Sequence, residues 1–290
     1  MIPEVVFFKQ ILHKHLDSDH QITKVSRLSG GDINDAYKLE TVSKSYFIKT
    51  NSPNVGDLFQ REEQGINLLQ EANVIHVPKV IGSGSNLGTP YLLLEFVEKG
   101  SPQHNFWEAF ANQLGKLHQV TQEQFGLDHD NYIGRLPQDN SKNTSWTEFF
   151  IQNRVEPQLR LARKKGLVDS KLIHNMEQLY TQLESIFPKE PPALIHGDLW
   201  SGNFMSDKHG NPCIYDPAVY FGHREMELAF TQLFGGFDRE FYEYYQNAYP
   251  LSPGFDSRVD IYNLYPLLVH VNLFGPSYLS GIKMTLKRFG

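Results

Sequence analysis

The chain has 290 residues, of which 40 % are apolar and 21 % charged, with a formal net charge of −6. That balance excludes a disordered or fibrous protein, and the negative charge argues against nonspecific nucleic-acid binding, which needs a basic face. One cysteine, Cys213, rules out an intramolecular disulfide and a cysteine-based zinc site. The longest apolar runs, such as Leu264–Val271, fall far short of the ~20 residues of a membrane span. Glu4, Lys9 and His13 interrupt the first segment, so no signal-peptide pattern is read. The expected setting is the cytoplasm, with no nucleic-acid or membrane partner.

In chain order, Ile2–Leu16 places Val5, Phe8, Ile11, Leu12 and Leu16 at helical spacing. Ile22–Leu28, Ala36–Glu40 and Tyr46–Thr50 read as short strands, punctuated by Gly30-Gly31-Asp32 and by Thr41–Lys44. Asp57 with Gln60 resembles a helix-starting capping pair, and a helix runs from there to about Ala72. Val77–Ile81 and Tyr91–Val97 come next as strands joined by a turn at Gly82–Thr89. Beyond Lys99-Gly100 the pattern turns helical: Phe106–Val120, Ser145–Lys165 with Pro157 as a kink, Ser170–Ile186, Met226–Phe234, Arg239–Ala248 and Arg258–Phe274. A long polar loop covers Gly126–Asn143, and Ala193–Ile195 and Cys213–Tyr215 are brief strands. The expected architecture is α+β in two lobes. Residues 1–97 form a small strand-rich lobe with one main helix, a hinge lies at about 95–98, and residues 98–290 form a larger, mostly helical lobe.

Several motifs carry no chemistry. Gly82-Ser83-Gly84 with Gly88 nearly spells a dinucleotide fingerprint, but a strand rather than a helix comes after it. Gly115-Lys116 is followed by Leu117, so there is no Walker A loop, and no Gly-x-Ser-x-Gly elbow or His-Glu-x-x-His helix occurs.

The densest signal is His196-Gly197-Asp198-Leu199-Trp200-Ser201-Gly202-Asn203, succeeded by Ile214-Tyr215-Asp216-Pro217. Phosphoryl transfer from ATP needs a carboxylate to accept the hydroxyl proton and oxygen ligands to hold Mg²⁺. Asp198 fits the first role, and Asn203 and Asp216 the second. Asp-x-x-x-x-Asn with a strand-borne Asp downstream is the spacing of kinase catalytic and metal loops. A kinase also grips the nucleotide phosphates with a lysine held by a helix carboxylate. Lys49 ends the third strand and the next helix carries Glu62 and Glu63; Glu62 is the expected partner. Gly30, Gly31 and Asp32 sit between the first two strands, where a loop could cover the phosphates, although a plain hairpin turn fits them too. Glu95, Phe96 and Val97 would form the hinge, with the backbone of Glu95 and Val97 facing adenine.

These residues resemble the fructosamine kinase (ketosamine-3-kinase) family, within the protein-kinase-like, aminoglycoside-phosphotransferase-like small-molecule kinases. The most specific segment is His196–Asn203 with its Trp200. Asp216-Pro217-Ala218 with Tyr220, Gly222, Arg224 and Glu225 matches the family's next segment. Phe59-x-x-Glu62-x-x-Gly65, Asp130-Asn131-Tyr132-Ile133-Gly134, Pro137-Gln138-x-Asn140, Trp146-x-x-Phe149-Phe150 and Arg154-x-x-Pro157-Gln158-Leu159 match in the same order. The resemblance covers nearly the whole chain. It implies an ATP- and Mg²⁺-dependent kinase that phosphorylates the C3 hydroxyl of ketosamines, free or on a protein lysine, so that the unstable product eliminates and restores the amine. Trp200 would stack on the sugar or simply pack the loop. Asn131 and Gly134, in the polar loop, are the candidate acceptor contacts beside it.

The chain departs from the pattern at Asp32, where some members carry a cysteine, and at Glu227, where related kinases often have Asp supporting the catalytic loop. Asp-Pro-Ala in place of Asp-Phe-Gly, and the lack of a long activation segment, disfavour a phosphorylation-gated protein kinase. An aminoglycoside- or choline-type phosphotransferase is the alternative, and a non-catalytic nucleotide-binding module the second.

Overall fold

The computed structural model describes residues 4–16, 21–28 and 34–289. The chain divides into two compact units: residues 1–106 with 204–217, and residues 107–203 with 218–290. The boundary lies nine residues beyond the one expected at 97, and the hairpin ending in Asp216 belongs to the first unit although the chain reaches it a hundred residues later. No helix among the described residues is long and apolar enough to cross a membrane.

The first unit begins with α1 (Glu4–His15), then β1 (Ile22–Leu28), β2 (Asp35–Thr41), β3 (Ser45–Thr50), α2 (Leu58–Ala72), β4 (Val80–Asn86) and β5 (Thr89–Glu95). The strands form one antiparallel sheet in the order β1-β2-β3-β5-β4. Phe8, Ile11 and Leu12 of α1 are buried against Leu39, Tyr46, Ile48, Tyr91 and Leu93. Val5, expected on that face, is exposed. Asp57 does not cap α2; its carboxylate instead accepts from Arg61 Nε at 2.6 Å.

The turn expected over Gly82–Thr89 is only Leu87-Gly88, because β4 runs through the glycines: Gly82 pairs with Leu93 and Gly84 with Tyr91. A side chain at Gly82 would overlap the His15 ring. The glycine therefore marks where α1 presses on the strand, a close approach that a glycine in a strand often signals.

From residue 106 onward come α3 (Phe106–Leu117), β6 (Asn131–Ile133), β7 (Leu136–Gln138), α4 (Trp146–Phe149), α5 (Glu156–Lys164), α6 (Ser170–Tyr180), α7 (Leu183–Ile186) and β8 (Ala193–Ile195). After them come β9 (Phe204–Ser206), β10 (Pro212–Ile214), β11 (Tyr220–Gly222), α8 (Arg224–Thr231), α9 (Arg239–Ala248), α10 (Phe255–Tyr262), α11 (Leu264–Phe274) and α12 (Leu279–Phe289). The polar loop folds back as the β6–β7 hairpin, and the helices expected over 170–186 and 258–274 are each broken in two. A helix not expected, α12, buries Ile282, Thr285 and Leu286.

Between α4 and α5 the chain widens into a π-helical turn, Phe150–Val155. Proline has no N–H to give the carbonyl four residues back. That carbonyl, Asn153 O, accepts instead from Arg154 Nη1 at 3.0 Å. The core of the second unit is aromatic: Trp146, Phe149, Phe150, Phe187 and Tyr262 are mutual ring contacts.

Candidate active site

In the first unit, Lys49 lies on β3, opposite Ala36 and Leu92. It is 5 % exposed, and a buried ammonium is costly unless paired. It donates to Glu62 Oε1 at 2.7 Å and also to Asp216 Oδ1. Burial alone would lower its pKa, but the carboxylates of Asp216 and Glu62 outweigh this and hold it above the ordinary lysine value. Glu63 points elsewhere and accepts from Ser83 Oγ. Asp216 adopts φ +60, the left-handed region that Asp tolerates better than most residues. Its side chain is 42 % exposed.

Past Lys49 the sheet ends at Glu95. The Glu95 N–H donates to the Lys79 carbonyl at 2.9 Å, and its Oε1 accepts from Lys79 N–H at 2.8 Å. The Glu95 amide is therefore already committed. Val97 is half-buried just beyond β5, and the Lys38 ammonium sits 4.5 Å over the Phe96 ring. Gly30, Gly31 and Asp32 lie outside the described residues.

His76 stands between Glu95 Oε1 (3.8 Å) and Asp207 Oδ2 (3.4 Å). Hydrogen bonding to Cys213 and Glu95 raises its pKa to about 10, against the opposing effect of burial. Cys213 is fully buried, and burial pushes its thiol up.

In the second unit, β8 delivers the loop that carries Asp198. Gly197 takes φ +81, and a Cβ there would overlap the Ala218 carbonyl oxygen, so only glycine suits this position. The Gly197 N–H donates to Glu227 Oε1 at 2.8 Å. Asn203 Nδ2 donates to the Asp198 carbonyl at 2.8 Å and to its Oδ2 at 3.0 Å. The indole of Trp200 lies over Gly202, where a side chain would collide with it, and meets Phe234 edge-on at 6.4 Å. Asp198 also lines a small, mostly apolar cavity with Ile133, Tyr220, Phe230, Tyr265 and His270.

The Asn131 side chain is engaged within the protein. Its Nδ2 donates to Val219 O at 2.8 Å, and its Oδ1 accepts from Gln138 and Asn140. It is 5 % exposed and holds the β6–β7 hairpin against β11. Gly134, at φ +60, makes the turn of that hairpin. Arg154 completes the network through Asp139 O and Asn140 Oδ1, with its guanidinium 3.8 Å from the Tyr220 ring centroid.

Phe234, Tyr265 and His270 were not flagged by the sequence. They come from the last third of the chain, in apolar helical surroundings where such residues read as ordinary core. Phe234 does carry a structural signal, φ +55 in a bulky residue, which is uncommon and often marks a functional site.

Asn203 and Asp216 each carry an oxygen of the kind a hard cation such as Mg²⁺ takes; among the described residues no group of three or more His, Cys, Asp or Glu side chains could hold a metal. Asn203 uses its amide nitrogen on Asp198, so the atom it would offer a cation is Oδ1. Asp216 engages Lys49 through Oδ1, so Oδ2 is the oxygen it would offer.

The model of the fructosamine kinase family matches residues 6–289. A Vibrio parahaemolyticus protein named "Probable ketoamine kinase" is 40 % identical over 276 residues, covering 93 % of both chains. The chloroplastic protein-ribulosamine 3-kinase of Oryza sativa is 37 % identical, covering 90 % of this chain and 77 % of its own. The crystal structure of a Haemophilus somnus protein assigned to the fructosamine-3-kinases superposes with a TM-score of 0.87 at 31 % identity, covering 97 % of this chain and 95 % of that one. The α+β kinase-like fold expected from the sequence is thus the fold found, and the chain belongs to the fructosamine kinase family.

Proposed function

We propose that this protein is an ATP-dependent kinase that phosphorylates the C3 hydroxyl of ketosamines, such as fructosamine or ribulosamine adducts, free or on a protein lysine. The observation that carries this reading is the Lys49 ammonium buried against both Glu62 and Asp216. A lysine oriented by a helix carboxylate and sharing its surroundings with a metal-ligating Asp is what nucleotide phosphates require of a kinase.

In this reading Lys49 binds the α- and β-phosphates, and Glu62 keeps its ammonium aimed. Asn203 and Asp216 would hold Mg²⁺, which offsets charge on the β- and γ-phosphates when bound. Asp198, its carboxylate steadied by Asn203, orients the acceptor hydroxyl and takes its proton as the new P–O bond forms. Trp200, with Phe234 beside it, offers an aromatic face to the apolar side of a sugar. Glu95 and Val97 offer backbone groups to adenine. Phosphorylation at C3 makes a leaving group beside the carbonyl carbon: loss of a C1 proton with departure of inorganic phosphate leaves an imine, and its hydrolysis by water frees the amine. This is a deglycation, or repair, activity.

The test is ATP consumption across ribulosamine- and fructosamine-lysine, an aminoglycoside and choline, with the phosphorylated carbon mapped by NMR. Turnover on the lysine adducts, phosphate at C3 and loss of activity in EDTA are expected. Transfer only to the aminoglycoside or choline would overturn the reading.

A further inference from the structure

Residues 204–217 complete the first unit, and the β9–β10 hairpin within them leads to Asp216. Main-chain bonds seat this hairpin at two places. The Ile214 N–H donates to the His76 carbonyl at 3.0 Å, and the Gly100 N–H donates to the Ser206 carbonyl at 3.0 Å. His76 lies just beyond α2, the helix that carries Glu62, and pairs with Cys213 of β10. Gly100 lies just beyond β5, and a side chain there would overlap the Asp207 carbonyl oxygen.

The His76 side chain adds a third link. Its Nδ1 faces Asp207 Oδ2 at 3.4 Å and its Nε2 faces Glu95 Oε1 at 3.8 Å. Both are ion-pair distances, and only an imidazolium carries an N–H at each nitrogen. Cys213 is the third group that bonds to the ring. The two carboxylates are themselves fixed. Asp207 is 6 % exposed, and its Oδ1 accepts from the N–H groups of His209 and Asn211 at 2.8 and 3.0 Å, which closes the hairpin turn. Glu95 Oε1 accepts from Lys79 N–H, where β5 ends. One ring therefore spans from the turn of the hairpin that leads to Asp216 to the strand that ends at Glu95. In the kinase reading these are the metal end and the adenine end of one nucleotide site.

We infer that His76 is a positioning residue for Mg-ATP: by bridging Glu95 and Asp207 it locks the β9–β10 hairpin to the strand that ends at the hinge, and so holds Asp216 at a set spacing from the backbone proposed to meet adenine. The inference rests on the kinase reading.

Four variants test this. His76→Asn removes the cation and is too short to reach both carboxylates. His76→Arg restores a cation with donors on two sides. Asp207→Asn neutralises Oδ2 and keeps Oδ1 for the turn, and the fourth variant combines it with His76→Asn. The ring is 39 % exposed, so none of these replacements opens a core cavity. Each is assayed for the KM of ATP, for the KM of ribulosamine-lysine, and for hydrogen exchange at the Ile214 and Gly100 amides. In His76→Asn the KM of ATP should rise about three- to thirtyfold, the usual scale for a residue that couples two parts of a structure. The KM of the ketosamine should stay within about twofold, because Asp198 and Trp200 belong to the second unit. Both amides should exchange faster. His76→Arg should recover most of the ATP affinity, and the double variant should be no weaker than His76→Asn alone. Wild-type KM of ATP and wild-type protection in His76→Asn would overturn the inference. So would a failure of His76→Arg to rescue combined with losses that simply multiply in the double variant, the behaviour of an ordinary packing residue. A wild-type enzyme inactive on ketosamines would instead overturn the kinase reading, while exchange at Ile214 and Gly100 still decides whether His76 seats the hairpin.

Discussion

Asn203 uses a single amide nitrogen to hold both the main-chain carbonyl and the carboxylate of Asp198, at 2.8 and 3.0 Å. The carboxylate is thereby fixed on a loop whose geometry the same bond helps to set. Asp198→Asn should lower kcat by about 10²–10⁴-fold, the range for loss of a general base, while Mg-ATP binding by calorimetry stays near wild type. Unchanged turnover would mean that another group accepts the proton.

Replacing Lys49 leaves Glu62 and Asp216 without the cation between them. Breaking a buried pair costs about 3–5 kcal/mol, and the low end applies because Asp216 is 42 % exposed and can take up water. Lys49→Met should therefore destabilise the protein in urea by about 3 kcal/mol and raise the KM of ATP at least tenfold, with Glu62→Gln milder in both. The Lys49 pKa is raised, so its contribution to stability is complete below the ordinary lysine value of about 10.4 and is lost only at higher pH. The gap between wild type and Lys49→Met should stay flat from about pH 6 to pH 9. ATP affinity unaltered in Lys49→Met would refute the phosphate role.

His76 should behave differently over the same range. Its pKa is raised to about 10, by Cys213 first and then by Glu95, so the stability it gains from these partners is complete below about pH 6.5, its unperturbed value. That contribution then falls as the pH climbs toward 10. The melting-temperature difference between wild type and His76→Asn should be largest near pH 6 and close by pH 10. A difference that grew with pH would contradict the ion-paired imidazolium.

Gly197→Ala forces a Cβ into the Ala218 carbonyl at a backbone angle that L-residues avoid. Strain of this kind costs about 1–3 kcal/mol, so the thermal midpoint should drop by several degrees. The kcat should fall further than loss of stability alone explains, because the residue that moves adjoins Asp198. Stopped-flow turnover below the midpoint, per folded molecule, separates the two effects.

The candidate site residues were legible because their signals are local: Asp198 and Asn203 lie five residues apart on one loop, and the strand carrying Lys49 could be read from the alternation around Phe47 and Ile48. Glu62 was chosen over Glu63 by its place in the Phe59-x-x-Glu62-x-x-Gly65 run, and it is Glu62 that meets Lys49. The helices of the second unit were blurred where breaks came from tertiary packing, as at Gln182 and Asn263, which carry no strong breaker. The Gly82-Ser83-Gly84 turn failed because Gly82 answers to the His15 ring, a partner nearly seventy residues away. The polarity of Asn131 suggested a ligand contact; what the sequence could not show is that its amide meets Val219, Gln138 and Asn140.

Neither unit is continuous in the chain: residues 204–217 complete the first, and residues 218–290 complete the second. During synthesis the ribosome must therefore release residue 217 before the first unit can acquire its last hairpin, and by then much of the helical unit is already exposed and still unfinished. Domains usually mature in order of emergence, but here each half waits on sequence from beyond the other. A nascent chain stalled at residue 106 would carry Lys49 and Glu62 without Asp216, their third charge.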